Sequence, residues 1–173
     1  KCPPTLSLEE CERIRQRIHP LPHQEVFFTT LAYGKLYPLF IDAPAQPLDA
    51  LKDKEVLLVT GIASPAPLME KVGRHAAHVT PLLFGDHHNF DGADMQQIAQ
   101  LFHKLPKTRR LILTTEKDAS RLIGHPLLNE ELKPYIYVLP IEVEFLHKGE
   151  LVFNPKIIEY VRKNSRNSCL SEG

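Results

Sequence analysis

Val-Leu-Leu-Val-Thr-Gly-Ile-Ala-Ser-Pro, at residues 56–65, predicts a buried strand that leads through a tight turn into a helix. Residues 56–60 form a short apolar run, typical of a strand covered on both faces in a parallel sheet. Ser64 is a suitable N-cap and Pro65 a suitable first helical residue, which predicts a helix from there to about His75. The segment therefore favours an α/β fold.

The same alternation of strand and helix continues toward the carboxyl end. Strands are predicted at 78–84, 110–114 and 135–139, and helices at 92–105, capped by Asp91, and at 118–123. Alternating units of this kind predict a mostly parallel sheet with right-handed crossovers, flanked by helices in a three-layer α/β/α arrangement. We expect this core to span residues 55–139.

The amino-terminal segment has a different character. Ser7 and Glu10 form a capping box in front of helically spaced apolar residues, which predicts a helix that ends before Pro20. Residues 25–32 are β-branched and aromatic and predict a strand, and a second extended piece is expected at 35–41.

The carboxyl-terminal segment differs again. Residues 141–153 predict a β-hairpin that turns at Gly149, and Asn154–Pro155 predicts the cap of a final helix. We expect residues 25–41 and 141–153 to form a small antiparallel β arm or hinge.

Length and composition exclude several classes of protein. The chain has 173 residues, and 21 Lys and Arg balance 21 Asp and Glu, which excludes a globally basic nucleic-acid-binding protein. The chain contains no apolar run of the roughly 18 residues that a membrane span needs. Three widely spaced cysteines indicate free thiols in a reducing compartment. Because the sequence opens on Lys1 without an initiator Met, we expect a piece of a longer protein.

Polar residues follow three of the predicted strands directly. Because the carboxyl ends of parallel strands lie along one edge of a sheet, where ligands bind, we expect the three loops to line a single cleft. The candidate residues are Thr60, Gly61 and Ser64 in the first loop, Asp86, His87 and His88 in the second, and Thr115, Glu116, Lys117 and Asp118 in the third.

The Asp86-His87-His88 run suits acid–base chemistry. A carboxylate beside an imidazole can orient it or raise its pKa, and histidine titrates near physiological pH. A loop histidine that caps a carbonyl or meets solvent is the alternative. The run could also bind a metal together with His75 and His78, but those two residues fall at the opposite end of the predicted sheet. We therefore expect no metal site in this chain.

The other two loops could bind an anion. The turn after Gly61 leads into a helix amino terminus with free N–H groups, and Lys117 could contact a phosphate. The alternatives are a well-capped helix and a solvated helix start. The chain lacks the G-x-x-x-x-G-K-[ST] motif of a phosphate-binding loop.

Three ordered motifs resemble those of the tetraacyldisaccharide 4′-kinases of lipid A biosynthesis. They are Val-Thr-Gly-Ile-Ala-Ser-Pro at 59–65, Phe-Gly-Asp-His-His-Asn-Phe at 84–90 and Leu-Thr-Thr-Glu-Lys-Asp-Ala at 113–119. The opening Lys1-Cys2-Pro3 and the Phe27-Phe28-Thr29 stretch are also similar to the family. Ser64 stands where the family more often has Asn, and Gly85 where Pro is common. The resemblance covers nearly the whole chain but only the C-terminal half of the family.

The resemblance implies a relative of the P-loop ATPases that transfers the γ-phosphoryl group of ATP to the 4′-hydroxyl of tetraacyldisaccharide 1-phosphate. The family's catalytic histidine falls on His87, which works with an aspartate of the other lobe, and we assign Asp86 to the catalytic pair. ATP and Mg²⁺ are the implied cofactors, held by an N-terminal lobe, so this fragment is expected to be inactive and to bind neither tightly. The implied partners are the lipid A disaccharide precursor and ATP, with no nucleic acid and no membrane span. The implied location is the cytoplasm of a Gram-negative bacterium, with the parent enzyme peripheral at the inner membrane.

Two other functions remain open at this point. Asp-His-His is also a signature of manganese phosphohydrolases, although the chain has no D-x-D motif and no glycine-rich His motif. The chain could also be a non-catalytic lid or interaction domain, in which case the three loops need not converge.

Overall fold

The computed structural model describes residues 2–86 and 88–168, without the side chains of 166–168. The helices are α1 (Leu8–Ile18), α2 (Ala66–Gly73), α3 (Gly92–Lys104), α4 (Glu116–Leu122) and α5 (Glu150–Ser168). The strands are β1 (Thr29–Tyr33), β2 (Tyr37–Pro38), β3 (Glu55–Thr60), β4 (His78–Leu83), β5 (Arg110–Thr115), β6 (Ile136–Leu139) and β7 (Ile141–Phe145). Short 3₁₀ helices cover Leu48–Leu51, Glu130–Tyr135 and Leu146–Lys148. The chain divides into two compact units: Tyr33–Ile141, and Lys1–Ala32 with Glu142–Gly173.

The unit Tyr33–Ile141 is built on a five-stranded sheet in the order β2-β6-β5-β3-β4. β3 pairs in parallel with both β4 and β5, and β5 pairs in parallel with β6. The short strand β2 is antiparallel to β6 and forms one edge. Both edge strands contain a proline, Pro38 in β2 and Pro81 in β4. The predicted mostly parallel sheet is confirmed.

Helices cover both faces of this sheet because its central strands carry consecutive buried apolar side chains, at 56–59 in β3 and 111–113 in β5. Leu57 and Val59 of β3 point to the face that packs against Met95, Ile98 and Phe102 of α3. Val56 and Leu58 alternate with them and pack on the opposite face against Leu68 and Val72 of α2. The three-layer α/β/α prediction is therefore confirmed.

The unit formed by Lys1–Ala32 and Glu142–Gly173 holds α1, α5 and most of a two-stranded antiparallel sheet formed by β1 and β7. The predicted capping box of α1 is present, since Ser7 Oγ accepts from the Glu10 N–H and the Glu10 carboxylate accepts from the Ser7 N–H. The rings of Phe27, Phe145 and Phe153 pack together, with centroids 4.9–5.9 Å apart.

The predicted hairpin at 141–153 is wrong. β7 does form, but its partner is the distant strand β1, and residues 151–153 belong to α5. The helical conformation brings the Phe153 ring onto Phe27 and Phe145, which accounts for its apolar character without a strand. Pro155 lies within α5 and does not cap it, because that helix begins at Glu150.

Other element boundaries also differ from the prediction. Pro65, not Ser64, is the N-cap of α2; no side chain caps that helix, and it ends at Gly73 instead of His75. The strand predicted at 25–32 covers only Thr29–Tyr33, and the piece at 35–41 is reduced to Tyr37–Pro38 with a bridge between Leu36 and Gln46. No helix within the described residues combines the length and the apolarity needed to cross a bilayer.

Candidate active site

The loops after β3, β4 and β5 lie together at the carboxyl-terminal end of the strands of the five-stranded sheet; this end is called the carboxyl edge. These strands pair in parallel, so their carboxyl ends at Thr60, Leu83 and Thr115 point the same way. The backbone N–H of Phe84 donates to the carbonyl of Thr60 over 2.9 Å, which holds the first two loops side by side. The structure thus brings the three predicted polar loops together.

Asp118 lies between the ends of β3 and β5 and is fully buried. Its Oδ2 atom accepts three hydrogen bonds, from Thr60 Oγ1 at 2.8 Å, the Gly61 N–H at 3.0 Å and Thr115 Oγ1 at 2.8 Å. Its Oδ1 atom lies 3.7 Å from Nη1 of Arg121. The carboxylate therefore ties the ends of β3 and β5 to the start of α4, and it is not part of a solvated helix start.

The first loop passes close to the second at Gly61. A Cβ atom at this position would lie 3.1 Å from the carbonyl oxygen of Gly85 and 3.3 Å from Oδ1 of Asp118. Both distances are shorter than an ordinary contact, so the absence of a side chain at Gly61 is what allows the loops to approach. Ser64, further along the first loop, is exposed.

Lys117 connects the third loop to the second. Its ammonium group forms an ion pair with the carboxylate of Asp86, and both side chains are about 40% exposed (37% and 39%). In this structure the Lys117 ammonium group therefore connects the start of α4 to the loop after β4. Glu116 beside it is exposed.

His88 is held more firmly than a solvated loop residue. Its Nε2 atom lies 2.6 Å from Oδ2 of Asp94, and its ring stacks on Phe84 with centroids 4.7 Å apart. Burial alone would raise the pKa of the Asp94 carboxyl, but the hydrogen bonds from the Asp91 N–H and from His88 hold that pKa below its usual value.

His87, the predicted catalytic histidine, lies outside the described residues. In the part of the chain that the structure does describe, no group of three His, Cys, Asp or Glu side chains is placed to hold a metal ion. His75, which the metal hypothesis used, instead contacts Asp49, with 2.9 Å between Nδ1 and Oδ1.

The family model of tetraacyldisaccharide-1-phosphate 4′-kinase (LpxK) matches residues 9–158. The chain belongs to this family. It is similar to the tetraacyldisaccharide 4′-kinases of Phocaeicola vulgatus, with 49% identity over 172 residues, and of Bacteroides thetaiotaomicron, with 46% over 180 residues. Each of these matches covers 99% of this chain and 47% of the relative.

The chain therefore spans about half the length of the curated LpxK relatives it matches. Among solved structures it is similar to a crystal structure of LpxK from Aquifex aeolicus in complex with ATP. That match has a TM-score of 0.41 and 19% sequence identity, and it covers 84% of this chain and 42% of the other.

The sequence analysis missed two residues near the carboxyl ends of the parallel strands in this LpxK-family chain. Asp94 is the partner of His88, and its position three residues after Asp91 in the capping box of α3 was a signal that the sequence contained. Tyr37 lies near Glu116, and burial and then the negative charge of Glu116 raise the pKa of its phenol. Nothing in the sequence places Tyr37 there, because β2 is only two residues long and pairs with a distant strand.

Proposed function

We propose that this chain is the C-terminal half of an ATP-dependent lipid kinase that phosphorylates the 4′-hydroxyl of tetraacyldisaccharide 1-phosphate, the precursor of lipid A. The observation that carries the proposal is the family match over residues 9–158, which includes all three strand-end loops. In support, these loops converge at the edge of a parallel sheet where ligands bind in this class of fold.

In this proposal His87 is the general base that takes the proton of the acceptor hydroxyl, and Asp86 orients it. Phosphoryl transfer depends mainly on positioning and on neutralising charge, so a base held by a braced loop is a suitable contribution from this half. Support comes from the ion pair between Asp86 and Lys117, which fixes the residue before His87 to the start of α4. Thr60, Gly61, Ser64, His88, Thr115, Glu116, Lys117 and Asp118 are proposed to line or to brace the substrate cleft.

The described residues do not fit a Mg²⁺–ATP site of their own. No group of three His, Cys, Asp or Glu side chains among the described residues is placed to hold a metal ion, and the carboxylate of Asp118 is fully buried, with three hydrogen bonds on Oδ2. The sequence also lacks a phosphate-binding loop. We therefore assign ATP and Mg²⁺ binding to the other half of the parent kinase.

The parent is proposed to be a two-lobed enzyme in which the sheet of β1 and β7, within 25–41 and 141–153, acts as the hinge. The exposed apolar side chains of α5 support the assignment to a larger protein. Leu151, Ile158 and Val161, which share one side of the helix by their spacing, are each at least half exposed, and an exposed apolar surface of this kind marks an interaction site. Since the relatives are about twice as long, we assign that surface to the rest of the kinase. The parent is proposed to be cytoplasmic and peripheral at the inner membrane, where its lipid substrate lies.

The test compares the full-length parent, this chain and two variants of the parent in the transfer of labelled γ-phosphate from ATP to tetraacyldisaccharide 1-phosphate. The full-length kinase should form the 4′-phosphorylated product, and this chain alone should form none. In the parent, His87→Ala should lower kcat by about 10²–10⁴, the usual contribution of acid–base catalysis.

His103→Ala is the matched control, because His103 is exposed in the last turn of α3, near the start of β5 and away from the loops. It should leave kcat unchanged. A parent without transfer activity would overturn the proposed function, and near-normal turnover in His87→Ala would remove His87 from the mechanism.

A further inference from the structure

His88, the second histidine of the Asp-His-His run, has its Nε2 atom engaged in a hydrogen bond and its ring packed against aromatic side chains. One face of the His88 ring stacks on Phe84, with centroids 4.7 Å apart and planes 19° apart, and Phe90 lies at 78° to the ring at 5.7 Å. Nε2 is 2.6 Å from Oδ2 of Asp94. The backbone N–H of His88 also donates to the carbonyl of Gly85 over 3.2 Å. One ring nitrogen, one ring face and the backbone N–H of His88 are therefore engaged.

Asp94, the partner of His88, is itself fixed by the core. It is the third residue of α3, and its Oδ2 atom also accepts the Asp91 N–H at 2.9 Å. Its own N–H donates to Asp91 Oδ1 at 2.9 Å. The next turn of that helix is anchored by Met95 and Ile98, which are almost completely buried. A side chain bound to Asp94 is therefore tied to the hydrophobic core through α3.

The hydrogen bond between the two residues has a defined polarity. An ionised carboxylate can only accept, so Nε2 of His88 must carry the proton that lies between them. Nε2 of His88 is therefore engaged as a donor to Asp94 and is not the atom that takes a proton from a substrate hydroxyl.

We propose that His88 and Asp94 form an anchor that positions the loop after β4, so that His88 acts as a positioning residue. The inference rests on the proposed kinase function and deepens it. On one side of the loop Asp86 is bound to Lys117, and on the other His88 is bound to Asp94. These two contacts brace Asp86 and His88, and small displacements of groups that support a reacting site cost large factors in rate.

Two substitutions of His88 in the full-length kinase separate these roles. His88→Gln keeps an N–H donor that can reach Asp94 but cannot act as a base. His88→Phe keeps a flat ring against Phe84 but has no donor. The anchor predicts that His88→Gln retains kcat within about threefold of wild type with its pH profile unchanged. It predicts that His88→Phe loses at least tenfold in kcat while KM for ATP and for the lipid stays within about twofold.

A second measurement does not depend on kinase activity. Amide hydrogen exchange in peptides covering the loop after β4 should be at least tenfold faster in His88→Phe than in wild type or His88→Gln, in this chain as in the full-length protein. Equal exchange in all three proteins would overturn the anchor even if the parent proved inactive. A loss of kcat in His88→Gln as large as in His87→Ala, with the acidic limb of the pH profile altered, would overturn it by making His88 a base. Failure of the parent to phosphorylate the lipid would instead overturn the proposed function and leave the exchange result to decide the anchor.

Discussion

Removing the carboxylate of Asp118 should destabilise the α/β unit severely. Asp118→Ala leaves three buried donors without an acceptor: the hydroxyls of Thr60 and Thr115 and the N–H of Gly61. Hydrogen bonds to a charged group contribute about 1.5–3 kcal/mol each. Alanine also relieves the cost of burying the charge, which offsets part of that sum, so we expect a net loss of about 3–5 kcal/mol in the free energy of unfolding.

Urea unfolding followed by far-UV circular dichroism measures this loss, and the probe suits a chain without tryptophan. With a slope of about 2 kcal/mol/M, a loss of about 4 kcal/mol lowers the urea midpoint by about 2 M. Asp118→Asn keeps one oxygen acceptor in place and should cost less, about 1–2 kcal/mol. Asp53→Ala is the matched control, since Asp53 is exposed in a turn, and it should change the free energy of unfolding by less than about 0.5 kcal/mol.

The reasoning is refuted if Asp118→Ala unfolds at the same urea concentration as Asp53→Ala. That outcome would mean that water or Arg121 satisfies the three donors as well as the carboxylate does. A loss in Asp118→Asn as large as in Asp118→Ala would also contradict it, because the negative charge would then matter and the three hydrogen bonds would not.

Two further predictions concern the same edge of the sheet. Gly61→Ala should lower the free energy of unfolding by about 1–3 kcal/mol, because the new Cβ would lie 3.1 Å from the Gly85 carbonyl oxygen. Gly73→Ala is the control, because Gly73 lies at the end of α2 with no atom within 4 Å of the new Cβ; it should be neutral or stabilise the fold by up to about 1 kcal/mol. Thermal melts that show equal losses of stability for both variants would contradict the steric argument. The pKa of the Asp94 carboxyl is lower in the folded protein than in the unfolded chain, where it is near 3.8. Its hydrogen bonds therefore stabilise the fold fully above pH 3.8, and this stabilisation is lost as the pH falls through the folded-state pKa. Wild type should therefore exceed Asp94→Asn in unfolding free energy by more at pH 6 than at pH 3, and an advantage that grows toward low pH would show that the sign is wrong.

The sequence predicted those elements whose signal is local. β3 and β5 are continuous apolar runs, and α3 has both a capping aspartate and an apolar stripe, so each could be recognised without its neighbours. The hairpin at 141–153 failed because β7 pairs with β1, more than 100 residues earlier, and no local pattern specifies that choice. Ser64 is a residue type that is preferred at helix N-caps, but the helix starts one residue later than predicted, after Pro65.

The candidate site was predictable as a place but not as a set of contacts. The rule that parallel strands end at one edge was enough to bring Thr60, Asp86 and Thr115 near one another. The sequence could not show that Asp118 is fully buried, because the first turn of a helix usually leaves its carboxylates in solvent. The pairing of His88 with Asp94 also depends on how the loop folds back on α3, which no local sequence pattern specifies.

The prolines at the two margins of the five-stranded sheet limit how this unit can associate. Pro38 and Pro81 each remove a backbone N–H from the row that an incoming strand would have to match. Neither edge strand can therefore pair with an added β-strand along its whole length, which protects copies of the chain from edge-to-edge association at high concentration. A partner of this unit would therefore bind its loops or its helices instead of extending its sheet.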